Sequence, residues 1–288
     1  MNKTAAQQYI GTIRLEEKEE IIKALELMEK EKPELTMGIA ADIGSRENQQ
    51  DTSFGQVDGN SAFAVVCDGM GGLEGGEVAS QTAVRTLVGD YYSLEQKNQM
   101  PQFFMEEAHK LNEAVCNLEN EDGKSLDAGT TIVAVYVNEG KAQWLSVGDS
   151  KIYILRKEEI LPVNREHNYR LRLDEMLEQG EITEEEYAED ESRAEALISF
   201  LGVGDLELMD INEKPFPLKD EDVILLCSDG LYKALEDDLI LNIVQLSLPN
   251  TQLAAKRLID AVKEKKVKNQ DNTSVVLIQY HTKKEEDK

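Results

Sequence analysis

Between Thr130 and Arg156 the chain reads TTIVAVYVNEGKAQWLSVGDSKIYILR, three apolar, β-branched runs with only a few residues between them. Runs of this length and composition form strands. Asn138-Glu139-Gly140 is a hairpin signal and Asp149-Ser150 a tight turn. Strands joined by so few residues leave no room for a crossover and must be antiparallel. The same texture recurs at MGIAADIG (37–44), AFAVVCD (62–68), VILLCSD (223–229) and TSVVLIQY (273–280). Helical periodicity marks Glu77 to Gly89, Gln102 to Glu119, Arg170 to Gln179, Leu235 to Leu246 and Gln252 to Lys265. Strands and helices segregate, which favours an α+β architecture of antiparallel sheets covered by helices over a parallel doubly wound fold. No fixed-period repeat interrupts this pattern.

Residues 1–36 form an extension in which Ile21, Ile22, Leu25 and Met28 stand at helical spacing within a Glu/Lys-rich stretch that Pro33 ends. Such an amphipathic helix packs on its own domain or docks a partner. The main domain runs over 37–282, and 283–288 is a charged tail. Within the domain, Asn164 to Phe200 is acidic and interrupted, with a break at Gly180 and a capping signal from Thr183 to Glu186. It reads as a small helical flap, and long insertions of this kind commonly act as lids or recognition elements.

Charge excludes whole classes of partner. The 288 residues carry 31 Lys and Arg against 57 Asp and Glu, a formal net charge of −26. Binding a nucleic-acid backbone requires a basic track, and the densest basic run, Lys263 to Lys268, is a short helix end. No apolar stretch approaches the roughly 20 residues of a membrane span, and the N-terminus lacks a signal-peptide core, so a soluble, cytoplasmic protein with no membrane or nucleic-acid partner is expected. Cys67, Cys116 and Cys227 form no CxxC pair and read as reduced structural thiols.

The chemistry lies in where the aspartates fall. Asp68 follows AFAVVC, Asp149 follows WLSVG, Asp229 follows VILLCS, and Asp271 stands just before TSVVLIQY. An Asp at a strand end is ordinarily a turn former. Gathered at one sheet edge, however, carboxylates repel one another and are costly to desolvate, so a cluster calls for cations or strong donors. Oxygen-only ligation selects hard ions such as Mg²⁺ or Mn²⁺ over zinc. The run Gly69-Met70-Gly71-Gly72-Leu73-Glu74-Gly75-Gly76 after Asp68 lacks the Gly-Lys-Ser/Thr of a P-loop, and a turn that sets the Gly69 carbonyl beside the Asp68 carboxylate is the more useful reading.

Taken in order, Gly44-Ser45-Arg46 with Gln50-Asp51, Asp68-Gly69-Met70-Gly71-Gly72, Gly129-Thr130-Thr131, Val147-Gly148-Asp149-Ser150, Ser228-Asp229-Gly230-Leu231 and Asp271-Asn272 resemble the motifs of the metal-dependent Ser/Thr protein phosphatases, the protein phosphatase 2C (PPM) family, bacterial type. The resemblance spans about Met37 to Tyr280. It implies a β-sandwich of two antiparallel sheets flanked by helices, with a centre of two Mn²⁺ or Mg²⁺ ions at one edge. By position, Asp68 resembles the carboxylate bridging both ions, the Gly69 carbonyl a ligand of the second, and Asp229 and Asp271 ligands of the first. Asp149 with Asp229 matches a weaker third site. Asp51 resembles the acid that holds a metal-bound water, and Arg46 the arginine that grips the substrate phosphate, a task suited to a bidentate guanidinium. His167 lies where relatives place a substrate-side His. Two departures stand out: Gln49 and Gln50 replace the usual Asn and Glu before Asp51, and Met70 replaces the His of animal members.

The implied reaction is hydrolysis of phosphoSer and phosphoThr monoesters on protein substrates, opposing a Ser/Thr kinase, by attack of a water that bridges the ions, with no covalent enzyme intermediate. Two other readings compete. A two-metal nuclease or nucleotidyl cyclase also gathers aspartates, but the basic track and a base-pocket motif are missing. A non-catalytic phosphoprotein-binding or scaffold member would typically have lost ligands, whereas Asp68, Asp229 and Asp271 are all present.

Overall fold

Strand β3 (Ser61–Gly71) shows how the layers arise, because every residue from Ala62 to Cys67 is buried, on alternating faces. Ala62, Ala64 and Val66 point into one apolar cluster, while Phe63, Val65 and Cys67 point into another. A strand buried on both faces must lie inside at least three layers. The computed structural model, which describes residues 34–72 and 75–282, has four. The extension upstream of Glu34 and the tail over 283–288 lie outside the described residues.

One sheet has the order β1-β12-β11-β7-β8, built from β1 (Leu35–Asp42), β7 (Lys151–Arg156), β8 (Glu159–Pro162), β11 (Val223–Cys227) and β12 (Thr273–Tyr280). The other has the order β10-β6-β5-β3-β2, built from β3 with β2 (Asp51–Asp58), β5 (Ile132–Asn138), β6 (Lys141–Val147) and β10 (Phe216–Pro217). Two short strands, β4 (Ala128–Thr130) and β9 (Asp210–Ile211), pair with β3 and β6. Every pairing is antiparallel, as the short connections predict. The two sheets meet through Val133, Val135 and Trp144 on one side and Ile152, Ile224, Leu226 and Val276 on the other. Helices α1 (Gly75–Ser93) and α2 (Met100–Cys116) cover the β3 sheet, and α6 (Asp237–Gln245) and α7 (Thr251–Lys265) cover the β11 sheet.

The Asn138 hairpin forms, with Asn138 opposite Lys141 and both loop residues, Glu139 and Gly140, at positive φ (49° and 68°). The Asp149-Ser150 turn does something else. Strands β6 and β7 belong to different sheets, so this turn carries the chain across the sandwich instead of closing a hairpin. Gly148, at φ 101°, makes the crossing, and a Cβ there would meet the Thr131 side chain at 2.6 Å. The domain also begins earlier than the Met37 boundary, since Leu35 is already buried and paired with Tyr280.

The flap is helical as expected. It comprises α3 (Tyr169–Glu178), α4 (Glu184–Asp190) and a short 3₁₀ turn over Glu191–Arg193. Gly180 breaks the two helices at φ 71°. Thr183 caps α4, its hydroxyl accepting from the Glu186 N–H (3.2 Å) while the Glu186 carboxylate accepts from the Thr183 N–H (2.9 Å). The flap is fastened at its base, where Tyr169 N–H donates to the Ala196 carbonyl (2.8 Å) and Ile198 N–H to that of His167 (2.9 Å).

Candidate metal centre

Antiparallel register places Asp51, the first residue of β2, directly opposite Asp68 near the end of β3. Two like charges facing across a ladder destabilise it unless something offsets them. Asp51 is only 6% exposed. Burial, reinforced by Asp229 and Asp271, pushes its carboxyl up to about 7, although the Ser228 hydroxyl donates to its Oδ2 at 2.7 Å. Asp68 is pushed well above the carboxylate range by burial and by Asp51, Asp229, Asp149 and Asp271. Asp149, on the crossing turn, is raised to about 6 by burial and by Asp229. The acids that the sequence scatters over more than 200 positions therefore act on one another at one place.

Buried hydroxyls and amides set the backbone of this edge. Thr130 and Thr131 clamp Asp68 from the neighbouring strand. The Thr131 N–H and Thr130 hydroxyl donate to the Asp68 carbonyl (2.8 and 2.9 Å), and the Asp68 N–H donates to the Thr131 hydroxyl (3.0 Å). Thr131 and Ser150 share a hydroxyl hydrogen bond of 2.7 Å, which ties the Asp68 strand to the turn bearing Asp149. Gly69 lies where side chains cannot: a Cβ would stand 2.0 Å from the Gly76 carbonyl oxygen and 2.7 Å from that of Gln50. The Gly69 N–H donates to the same Gln50 carbonyl (3.1 Å), and the Gln50 side-chain amide packs against Gly76 at the start of α1.

Asn272 organises the loop over 43–50. Its Oδ1 accepts from the Gln50 N–H (2.7 Å), and its Nδ2 donates to the carbonyls of Ile43 (2.8 Å) and Asn48 (3.1 Å). That loop presents Arg46, whose Nη2 lies 2.6 Å from Asp271 Oδ2. The pair is open to solvent, with side-chain exposures of 52% and 38%. Lys233, just past α5 (Asp229–Tyr232), lies 2.6 Å from Asp229 Oδ2 and 3.9 Å from Asp149 Oδ2.

Among the described residues, no three acids, histidines or cysteines stand at the spacing of a closed metal cage, and Arg46 and Lys233 neutralise Asp271 and Asp229 instead. The donors nevertheless suit a hard cation. Asp51 Oδ1 and Asp229 Oδ1 are buried and accept no hydrogen bond, and an orphaned buried carboxylate oxygen is costly. Asp68 and Asp149 add oxygens whose charge burial disfavours, and a divalent ion is what stabilises their ionised forms.

His167 departs from the substrate-facing role expected of it. Its ring is fully buried, Nδ1 accepts from the Gly148 N–H at 3.1 Å, and Nε2 lies 3.5 Å from Asp210 Oδ1. Burial pushes the Asp210 carboxyl up, but His167 and Arg165 more than offset it and hold Asp210 below the usual range. A ring enclosed in this way supports the Gly148-Asp149 crossing. Sequence reasoning also passes over Lys233, and it takes in Ser228 and Asn272 only as members of motifs, with no role of their own. Lys233 alone has a local signal, its position four residues after Asp229 at a helical turn. Ser228 and Asn272 act across 177 and 222 or more positions.

A protein-family model described as "Protein phosphatase 2C" matches residues 40–257. The chain is 27% identical over 224 residues to the serine/threonine phosphatase stp of Listeria welshimeri, covering 76% of this chain and 85% of that protein. It is 26% identical over 219 residues to the protein phosphatase PhpP of Streptococcus pneumoniae, covering 75% and 86%. Among solved structures, the catalytic domain of the serine/threonine protein phosphatase PstP in complex with two manganese ions superposes with a TM-score of 0.67 at 25% identity, over 86% of this chain and 99% of that one. The S. agalactiae serine/threonine phosphatase shares the fold at a TM-score of 0.73 and 24% identity, over 86% and 100%.

Proposed function

The chain belongs to the protein phosphatase 2C family and is a metal-dependent serine/threonine protein phosphatase of bacterial type; on that premise we propose how its own residues carry the reaction. The convergence of Asp51, Asp68, Asp149, Asp229 and Asp271 on one sandwich edge, with Arg46 beside them, supports this reading best. Asp68, Asp229, Asp271 and the Gly69 carbonyl would hold two Mn²⁺ or Mg²⁺ ions, with Asp149 and Asp229 available to a weaker third. Bound there, the ions supply Lewis-acid activation of water and neutralise charge on the phosphoryl oxygens.

Asp51 orients the attacking water. Ser228 occupies its Oδ2, which leaves Oδ1, without a hydrogen bond of its own, to accept from that water. Water attacks phosphorus and gives up a proton to solvent, the bond to the Ser or Thr oxygen breaks, and the leaving oxygen takes up a proton from solvent, since Met70 brings no acid to this place. Arg46 grips the phosphate, exchanging its exposed pair with Asp271 for a bidentate contact to two phosphoryl oxygens. Buried His167 holds the Gly148-Asp149 crossing in register.

Phosphorylated proteins are the substrates, and we propose that the enzyme opposes a Ser/Thr kinase in the cytoplasm, with the N-terminal extension as a docking element. Among the described residues no helix is long and apolar enough to cross a membrane. The test is hydrolysis of an aryl phosphate and of phosphoThr peptides with Mn²⁺, Mg²⁺ or EDTA, on the wild type and on Asp68→Asn. Turnover that needs a divalent ion and collapses in the variant is expected. Turnover in EDTA would overturn the reading.

A further inference from the structure

Lys233 is the one side-chain cation placed against both Asp149 and Asp229 by the described ion pairs, its side chain 45% exposed and its backbone fixed beside them. Asp229 opens α5 and Lys233 follows its last residue, so the two stand one helical turn apart, the spacing at which an acid and a base on one face meet. The Lys233 N–H closes the turn on the Asp229 carbonyl at 3.0 Å. Its neighbour Tyr232 donates its hydroxyl to the Asp149 carbonyl at 3.0 Å, so this short helix is stitched to the crossing turn right beside the lysine. Lys151, a second ammonium in this neighbourhood, is engaged elsewhere, 2.8 Å from Glu166 and 3.9 Å from the centre of the Tyr232 ring.

Arg46 and Lys233 thus differ in kind. Arg46 reaches Asp271 from a loop 225 positions away through an open contact. Lys233 is tethered to the acid it neutralises. Resting on the reading of this edge as a metal centre, we propose that Lys233 is a positioning residue that serves as a built-in cation for the Asp149–Asp229 pair, so that a divalent ion must displace it to bind there. Two carboxylates sharing one ammonium have much of their repulsion already offset, and an incoming ion gains only the difference. The consequence is graded: an ion held through both Asp149 and Asp229 competes with the lysine for both of its acids, whereas an ion held through Asp68, Asp271 and Asp229 shares only Asp229 with it and should be less affected.

Calorimetric titration of Mn²⁺ into the full chain tests this without reference to turnover. Lys233→Met keeps the length of the side chain and removes its charge. It should add a binding event, or tighten the weakest existing one by about tenfold or more, the effect of roughly 1.4 kcal/mol. Lys233→Arg should behave as wild type. The gain at the weakest site should vanish in Lys233→Met/Asp149→Asn, which takes away the acid that this site alone uses. Mn²⁺ isotherms for Lys233→Met that match or are weaker than wild type overturn the proposal, provided thermal melting shows the variant folded; Lys233→Gln serves as the second neutral replacement, read in the same way. Absence of Mn²⁺ uptake by wild type and by both neutral variants would overturn the metal reading itself. Uptake by wild type with no gain in the variants would overturn only the role of Lys233.

Discussion

Asp51 and Asp68 occupy facing positions of the β2–β3 ladder, two carboxylates opposed where a sheet ordinarily pairs opposite charges or apolar groups. The arrangement has a measurable cost. A carboxyl whose folded pKa lies above its unfolded value holds its proton more tightly in the fold, so its contribution to stability is complete below the unfolded value and is lost as pH rises through the folded one. For Asp51 that window runs from the ordinary carboxyl value of 3.8 to about 7. In EDTA, the melting temperature should fall from pH 5 to pH 8, by an amount worth on the order of a few kcal/mol. Asp51→Asn should flatten the profile, and Mn²⁺ should flatten it in the wild type. A profile in EDTA that rises over this range would mean the acids are better paired than their burial implies.

Arg46 separates affinity from stability. Its pair with Asp271 is exposed, and such pairs contribute about 0.2–1 kcal/mol to folding. Arg46→Ala should therefore leave the melting temperature nearly unchanged while raising KM for phosphate esters by roughly tenfold or more. Arg46→Lys should recover charge but not the fork, and so restore affinity only in part. Full recovery in the lysine variant would show that point-charge attraction suffices.

Asn272 is a structural pin for the phosphate side of the site. Its side chain is 3% exposed and makes three hydrogen bonds to backbone groups of the 43–50 loop. Asn272→Ala leaves the part-buried N–H of Gln50 and the carbonyls of Ile43 and Asn48 to find new partners, at a cost of up to about 1–3 kcal/mol for each that water does not reach. Loss of several degrees in melting temperature is expected, together with a raised KM, because Arg46 rides on this loop. Hydrogen exchange should show the loop opening first; protection unchanged there would assign the stability loss elsewhere.

What is legible in the sequence divides along a physical line. Strands buried on both faces, such as Ala62–Cys67 and Val223–Cys227, announce themselves because nothing but apolar and β-branched residues survives in them. Strand β2 carries no such mark, for it reads DTSFGQVD and lies at a sheet edge, half open to solvent. Its strand character comes from pairing with β3, a contact that leaves no trace in its own composition. The acids of the site are legible as strand-end punctuation. The residues that aim them are not, since Ser228 serves Asp51 and Asn272 serves Gln50 through hydrogen bonds that exist only once distant strands have paired. His167 misleads for the converse reason: a polar sequence neighbourhood suggests an open position, yet Gly148 and Asp210 enclose the ring.

That enclosure makes its own prediction. His167→Phe preserves much of the ring volume but removes the acceptor from the Gly148 N–H, so stability should drop by about 1–3 kcal/mol. Because Gly148 precedes Asp149 at the sheet crossing, kcat should fall while KM for a small aryl phosphate stays near wild type. A KM effect confined to that variant would restore His167 to substrate contact.

The flap carries the last prediction. Between Asn164 and Glu195 acids outnumber bases twelve to four, and Glu184, Glu185 and Glu186 form the first turn of α4, with all three exposed. Acids at a helix N-terminus favour the helix itself, so their presence has a local reason. The number of them exceeds that reason, because one capping box already satisfies the terminus through Thr183 and Glu186. A dense negative face on the flap should attract basic phosphopeptides and repel acidic ones. Replacing Glu184, Glu185 and Glu186 by Gln keeps side-chain length, and Glu186→Gln retains a side-chain oxygen able to accept from the Thr183 N–H, so the fold should hold. kcat/KM for basic phosphopeptides should drop several-fold at low salt, the difference should shrink as salt screens it, and aryl phosphate hydrolysis should stay unchanged. Equal loss on both substrates would assign the flap to support of the metal centre, and no loss on either would leave α4 a solvated face.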